Sequence, residues 1–344
     1  MWIKFTALLT LLCLSYNALS KDNAVILLYH HVANDTPAST TISPKQFGEH
    51  LRYLDKHHVV MPLATIINKL QQGIAIDDKA VAITFDDGYQ DIFENAHPLL
   101  KEYKFPYTVF INPDVIGVQS DQLSWQTVKL MSKQGATFAN HTNGHGYLLN
   151  KPDAVDEQQW LMQIKHNVQD AEQTLLEHLG YSLKFIAYPY GEYNQAITSM
   201  LKAEGYVGFG QQSGALASYS DFTALPRFPA AGIYANIEPL KVKLASLAMP
   251  VLDNSYQLQS FEQGQDYPEL ILRIGLEDIL PRQFTCYFNS EILSTSWQDD
   301  RVSVSIPHQV TSRRSRVNCT APSIRDPKRY YWFSQTFFAP SISE

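Results

Sequence analysis

Cysteine is nearly missing from this chain. Three residues in 344 are too few for a disulfide-dense scaffold, so the fold has to be held by an apolar core, which a chain of this length can bury. Positive charge is short as well: 27 Lys and Arg against 34 Asp and Glu leave a formal charge of -7. A surface that tracks phosphates needs the opposite balance, so nucleic acid is not expected as a partner. Internal repeats and low-complexity tracts are absent. With 45% hydrophobic and 18% charged residues, the composition is that of an ordered globular protein.

The apolar run from Phe5 to Leu14 follows Lys4 and is too short to cross a bilayer, but it suits a secretion signal ending at the small residues Ala18 and Ser20. Cleavage after Ser20 is expected to give an exported protein, periplasmic or secreted, with no stable membrane insertion. A retained anchor is the alternative. Cys13 lacks the small residue normally found before a lipidated cysteine, so a lipoprotein is not expected. Removing the leader leaves Cys286 and Cys319, an even number, which suits one disulfide; two buried free thiols are the other reading.

The stretch that organises the chain is Val81-Ala-Ile-Thr-Phe-Asp86-Asp87-Gly88-Tyr89. An apolar run reads as a strand, and two adjacent carboxylates at its carboxyl end must point in different directions. Gly88 then permits a sharp turn. Charges this close repel unless a cation or a shared proton compensates. Asn140-His141-Thr142-Asn143-Gly144-His145 offers the complement: two imidazoles four positions apart converge on one ion if the loop turns as a helix does, and Asp87 would complete a two-His, one-carboxylate set. Alone, the histidine pair is weak evidence, and solvated loop histidines are the commoner reading.

Thr84-Phe-Asp-Asp-Gly88 followed by His141-Thr-Asn-Gly-His145 resembles the first two motifs of the polysaccharide deacetylases, a carbohydrate esterase family. The resemblance spans roughly residues 24 to 250 and implies that Asp86 is the catalytic base and that Asp87, His141 and His145 bind a divalent metal ion, usually Zn2+. It also implies a (β/α) barrel of about seven strands. The general acid of most members, a His in a Leu-x-His motif, is not found after Leu225. Tyr29-His30 is instead similar to the opening of the poly-N-acetylglucosamine deacetylases, which implies His30 as the acid. Ala187-Tyr-Pro-Tyr190-Gly resembles the third motif, in which the Tyr190 backbone amide would serve the oxyanion hole. Ala187 stands where that motif has an Arg orienting the base. Arg227 is the candidate replacement, with an ordinary surface arginine as the competing reading.

The order of elements agrees with such a fold. Ala24 to Tyr29 is a continuous apolar strand ending in His30 and His31, and parallel strands covered on both faces read this way. His31 should face away from His30 and be packed or hydrogen-bonded. Helices are expected from Pro44, over Leu63 to Leu70, near Ile92 to Tyr103, at Ser124 to Lys133, from Asp156 to Leu179, over Tyr193 to Glu204 and from Ile237 to Ala248. Strands fall between them, which predicts a distorted or incomplete parallel α/β barrel over residues 21–250. From 251 to 344 short alternating stretches read as a small β-sandwich-like domain. Its Arg313-Arg-Ser-Arg316 and Tyr330-Tyr-Trp-Phe333 suit carbohydrate binding, or else a solvated basic loop beside a β core. Trp125 could line a sugar site, although packing is the commoner fate of a lone Trp; His97 and His166 carry no expected chemistry.

Together these features predict a metal-dependent hydrolase that removes N-acetyl groups from an acetylated glycan, a polymer or oligomer containing N-acetylglucosamine, with exopolysaccharide favoured. Metal-activated water would be the nucleophile. Peptidoglycan, chitin oligomers or O-acetyl esters are alternative substrates for the same machinery. A catalytically silent glycan-binding protein is the reading from another class.

Overall fold

The computed structural model describes residues 22–343; the expected secretion signal lies outside them. Six parallel strands pair side by side in chain order: β1 (Ala24–Tyr29), β2 (Ala80–Phe85), β3 (Tyr107–Ile111), β4 (Ala136–Asn140), β5 (Phe185–Ala187) and β6 (Val207–Phe209). Every residue of β1 and β2 is buried, which is why both read as unbroken apolar runs. The gap between β6 and β1 is closed by residues 225–229. Leu225 bridges Phe209, and β7 (Phe228–Pro229) runs parallel to β1 with Phe228 opposite Leu27. The result is the curled, distorted barrel expected. Two short strands complete the sheet: Val59–Val60 beside β2 and the antiparallel Ala215–Leu216, which the sequence pattern did not disclose, beside β1.

Helices fill the crossovers. Pro44–His57 starts at Ser43, whose hydroxyl accepts from the Gln46 N–H at 3.2 Å, a cap that stabilises by about 1 kcal/mol. It buries Phe47, Leu51 and Leu54, and also His50. Glu157–Leu179 is capped by Asp156 and stopped by Gly180 in the left-handed region. Three boundaries differ from expectation. The Ile92 helix opens with a π turn over Ile92–Ala96, the Tyr193 helix begins only at Gln195, and the last helix ends at Leu244, before a strand at Leu247–Ala248.

The C-terminal region holds two sheets around their own core, which includes Leu272, Ile274, Val302, Val304, Val317 and Phe337. One sheet has the order Leu247–Ala248, β9 (Tyr330–Phe338), β8 (Arg314–Pro322), Thr285–Phe288, Glu291–Ile292. The other is built from Val251–Asn254, Leu270–Ile274, Arg301–Val304 and Thr295–Gln298. Cys286 and Cys319 lie opposite each other on adjacent strands and form a disulfide. Because Leu247–Ala248 pairs with Tyr331 and Trp332 of β9, the β region is joined to the barrel at the edge of a sheet and not merely by a linker. No helix among the described residues is long and apolar enough to cross a membrane.

Candidate active site and metal centre

The carboxyl ends of the barrel strands, where backbone N–H and C=O groups leave the ladder and loops begin, bring the chemistry-bearing side chains together. Asp86 follows β2 with its backbone N–H bonded to the Tyr29 carbonyl at the end of β1, 3.0 Å away. Its carboxylate is fully buried. Arg227, on the segment that closes the barrel, is equally buried and grips Asp86 with both prongs, Nη1 to Oδ1 and Nη2 to Oδ2, each at 2.7 Å. Its remaining Nε–H donates to the Gly210 carbonyl at 2.9 Å. Burial by itself would push the Asp86 carboxyl up; the charge of Arg227, then that of His141, holds it below the usual carboxylate value.

Asp87 turns the other way. Its φ of 71° lies in the left-handed region, and Gly88 follows at φ 80°, where a Cβ would sit 2.7 Å from Ile111 Cγ2. The turn aims Asp87 Oδ1 at His141 Nε2, 3.2 Å away, and His145 Nε2, 3.3 Å away; the two imidazole nitrogens are 3.1 Å apart. His141 donates from Nδ1 to the Ala187 carbonyl at 2.8 Å, which fixes the tautomer and leaves Nε2 as a bare lone pair. Asp87 Oδ1 is buried and, among the described residues, accepts no hydrogen bond. Three acceptors therefore face one another at the spacing of neighbouring corners around an ion with bonds of about 2 Å, and N and O donors of this kind suit a divalent cation such as Zn2+. The residues fit the group that the resemblance implies.

The histidine loop reaches this arrangement differently from the helical turn expected. Thr142 and His145 both have positive φ, 67° and 46°, so the loop folds back on itself instead of winding. Asn112 donates from Nδ2 to the His141 and Thr142 carbonyls, and Asn140 Oδ1 accepts from the Thr142 N–H at 2.8 Å. These buried amides hold a strained backbone in place.

Residues 74–209 match the family model for polysaccharide deacetylase. The chain carries a polysaccharide deacetylase domain. A relative, the poly-beta-1,6-N-acetyl-D-glucosamine N-deacetylase of Staphylococcus aureus, is 28% identical over 225 residues, covering 63% of this chain and 77% of that protein. Among solved structures, IcaB from Ammonifex degensii shares the fold with a TM-score of 0.54 at 24% identity, over 63% of this chain and 98% of its own. The Streptococcus pyogenes deacetylase PplD, solved with acetate, has a TM-score of 0.55 at 22% identity, over 61% and 93% of the two chains.

The other candidate residues fall as follows. His30, half-buried at the end of β1, and Tyr190 line the same cleft. Burial pushes the His30 imidazole down, opposed by the charges of Asp87 and Asp86. Tyr190 has a φ of 57°, and among the described residues its N–H finds no acceptor. Its ring stacks on Tyr147 at 3.8 Å and meets His145 edge-on at 4.6 Å. His31 bonds Asp91 at 2.6 Å and stacks on Tyr89, as expected of a packed histidine. Trp125 stacks on His178, His97 bonds Tyr107 and Gln134, and His166 is exposed.

One reading of the C-terminal region needs correction. Arg313 is not in a solvated basic loop: it is buried, bonds both Glu192 oxygens at 2.7 and 2.8 Å, and lies 4.1 Å from the centre of the Tyr147 ring. Trp332 packs edge-on against Phe228 of the barrel at 5.3 Å. Glu192 and Tyr147 escaped the sequence reading. Glu192 lies two positions after Tyr190 in the third motif, and that adjacency was the only signal available.

Proposed function

We propose that this protein is an exported, metal-dependent de-N-acetylase of N-acetylglucosamine-containing polysaccharide, exopolysaccharide in particular. The observation that carries the reading is the convergence of Asp87, His141 and His145 beside a separate carboxylate, Asp86, that is held by Arg227. The Tyr29-His30 opening and the Staphylococcus aureus relative favour poly-N-acetylglucosamine over other acetylated glycans. Residues 1–20 are assigned to the export signal, 21–250 to the catalytic domain and 251–344 to a β domain that serves glycan binding.

Asp87, His141 and His145 are the residues that would hold a divalent cation, which when bound supplies Lewis acidity to make water acidic and to polarise the acetyl carbonyl. Asp86 accepts the proton of the attacking water. Arg227 keeps Asp86 ionised and fixes the plane of its carboxylate. The Tyr190 N–H donates to the oxygen that gains negative charge as the carbonyl carbon becomes tetrahedral. His30, across the cleft, gives a proton to the departing nitrogen. The amide C–N bond breaks, acetate leaves, and the sugar keeps a free amine that takes up a proton at neutral pH.

The test is acetate release from an N-acetylglucosamine oligomer by the purified protein, expected to be lost on chelation and in Asp86→Asn. A protein that binds the oligomer yet releases no acetate in the presence of added Zn2+ would instead be a silent glycan-binding protein.

A further inference from the structure

The cleft that holds His30 and Tyr190 has a second wall, contributed by the β region. Arg313 clamps β8 to the loop after β5 through Glu192 and donates from Nη2 to Asn150 Oδ1 at 2.8 Å. The next residue, Arg314, donates from Nη1 to the Tyr190 carbonyl at 2.9 Å. With β8 fixed in this way, Arg314, Ser315 and Arg316 line a cleft of about 430 Å3 together with His30, Tyr190 and Tyr234. Arg316 donates from Nη2 to the Tyr234 hydroxyl at 3.1 Å, and Lys243 Nζ lies 4.4 Å above the Tyr234 ring. Among the described residues no Asp or Glu lines this cleft. In a chain whose net charge is negative, the wall facing His30 is cationic. Lys243 reports the same field, since burial and the charge of Arg316 push its ammonium down to about 8.

We propose that this cleft is a subsite for the sugar adjoining the one that loses its acetyl group, and that Arg316, flanked by Arg314, admits a neutral N-acetylated sugar there and repels a cationic glucosamine. The inference rests on the de-N-acetylase reading and adds to it a rule about which part of the polymer is accepted. Aromatic faces and hydrogen-bond donors serve an N-acetylated sugar without needing charge. Hydrolysis converts that neutral group into an ammonium, so each turnover creates a sugar that the cleft disfavours. Like charges within one small cleft, at the effective dielectric near a protein surface, change binding by about tenfold. The enzyme therefore leaves free amines spaced along the chain and avoids contiguous runs.

The experiment compares initial acetate release, per acetyl group, from a fully acetylated N-acetylglucosamine oligomer and from one of equal length whose alternate sugars carry free amines. It is run at mildly acidic pH and low salt, where the amines are charged. The expected result is a rate about tenfold lower on the amine-bearing oligomer, with the ratio moving towards one at about 0.5 M salt, because screening shortens the reach of the guanidinium. Arg316→Gln should shrink the ratio and Arg316→Lys should keep it; a purely structural role for Arg316 would not separate the two variants by charge. Equal rates on both oligomers, or a ratio indifferent to salt and to Arg316→Gln, would overturn the inference. No acetate from the fully acetylated oligomer would overturn the de-N-acetylase reading itself.

Discussion

Arg227 and Asp86 stand 141 positions apart in the chain and form a two-pronged ion pair from which solvent is excluded on both sides. Neither partner is stable there alone. A carboxylate moved from water into a barrel interior loses several kcal/mol of solvation, and only a counter-charge of matching geometry recovers it. The closing segment of the barrel delivers that counter-charge to the end of β2, so closure of the sheet and ionisation of Asp86 are one event.

Replacing Arg227 by Ala should therefore lower stability by about 3–5 kcal/mol, since it leaves a buried charge unpaired. It should also lower kcat by about 100-fold or more, because a protonated Asp86 accepts nothing. Arg227→Lys restores the charge without the fork and should fall between the two. Denaturation midpoints and acetate release check both; wild-type turnover in Arg227→Ala would remove Arg227 from the mechanism.

Metal content is the second check. Purified protein, dialysed against Zn2+ and then buffer, should retain about one ion per chain by elemental analysis, as a site with three donor side chains holds. Asp87→Ala and His141→Ala should lose it, whereas His166→Ala, an exposed residue outside the cluster, should not. Activity should follow the metal through chelation and readdition. Retention of the ion by both ligand variants would count against the assignment.

The Arg313–Glu192 pair ties the β region to the loop that carries Tyr190. Arg313→Ala leaves Glu192 buried without its partner and should destabilise the whole chain by about 3–5 kcal/mol. Cutting the chain after Pro250 removes Arg313, the Trp332 contact to Phe228 and the Phe338 contact to Tyr193 together. The truncated barrel should lose its cooperative thermal transition. A folded truncation with unchanged affinity for polymer would refute a binding role for residues 251–344.

Acid stability should depend on two histidines outside the metal cluster. His50 is buried between the Tyr29 hydroxyl at 2.9 Å and the Ala235 carbonyl at 2.8 Å, an arrangement that a neutral imidazole satisfies with one acceptor and one donor nitrogen. Burial pushes His50 down, and it pushes His58 down to about 4. Below pH 6.5 the unfolded chain binds protons that the folded chain refuses, so stability is full above 6.5 and is lost as pH falls through the interval towards 4. Urea midpoints measured from pH 7 to 4.5 should drop, and His50→Gln should flatten the drop. An unchanged slope would mean that other groups govern acid unfolding.

The sequence by itself singled out Asp86, Asp87, His141 and His145 as candidates, because each pair lies within a few residues at a strand end and together they resemble two family motifs. It also determined the covered strands and the approximate helix positions, since apolar runs and apolar stripes act over one or two turns of chain. Whether Arg227 meets Asp86 was decided only by closure of the barrel through Leu225 and Phe228, and whether Arg313 is solvated or buried was decided only by how β8 packs against Glu192. The left-handed turns at Asp87, Thr142, His145 and Tyr190 were likewise invisible, since non-glycine residues adopt them only under tertiary constraint. Side chains that meet across more than a hundred residues are placed by the packing of the sheets that carry them, and no local pattern encodes that meeting.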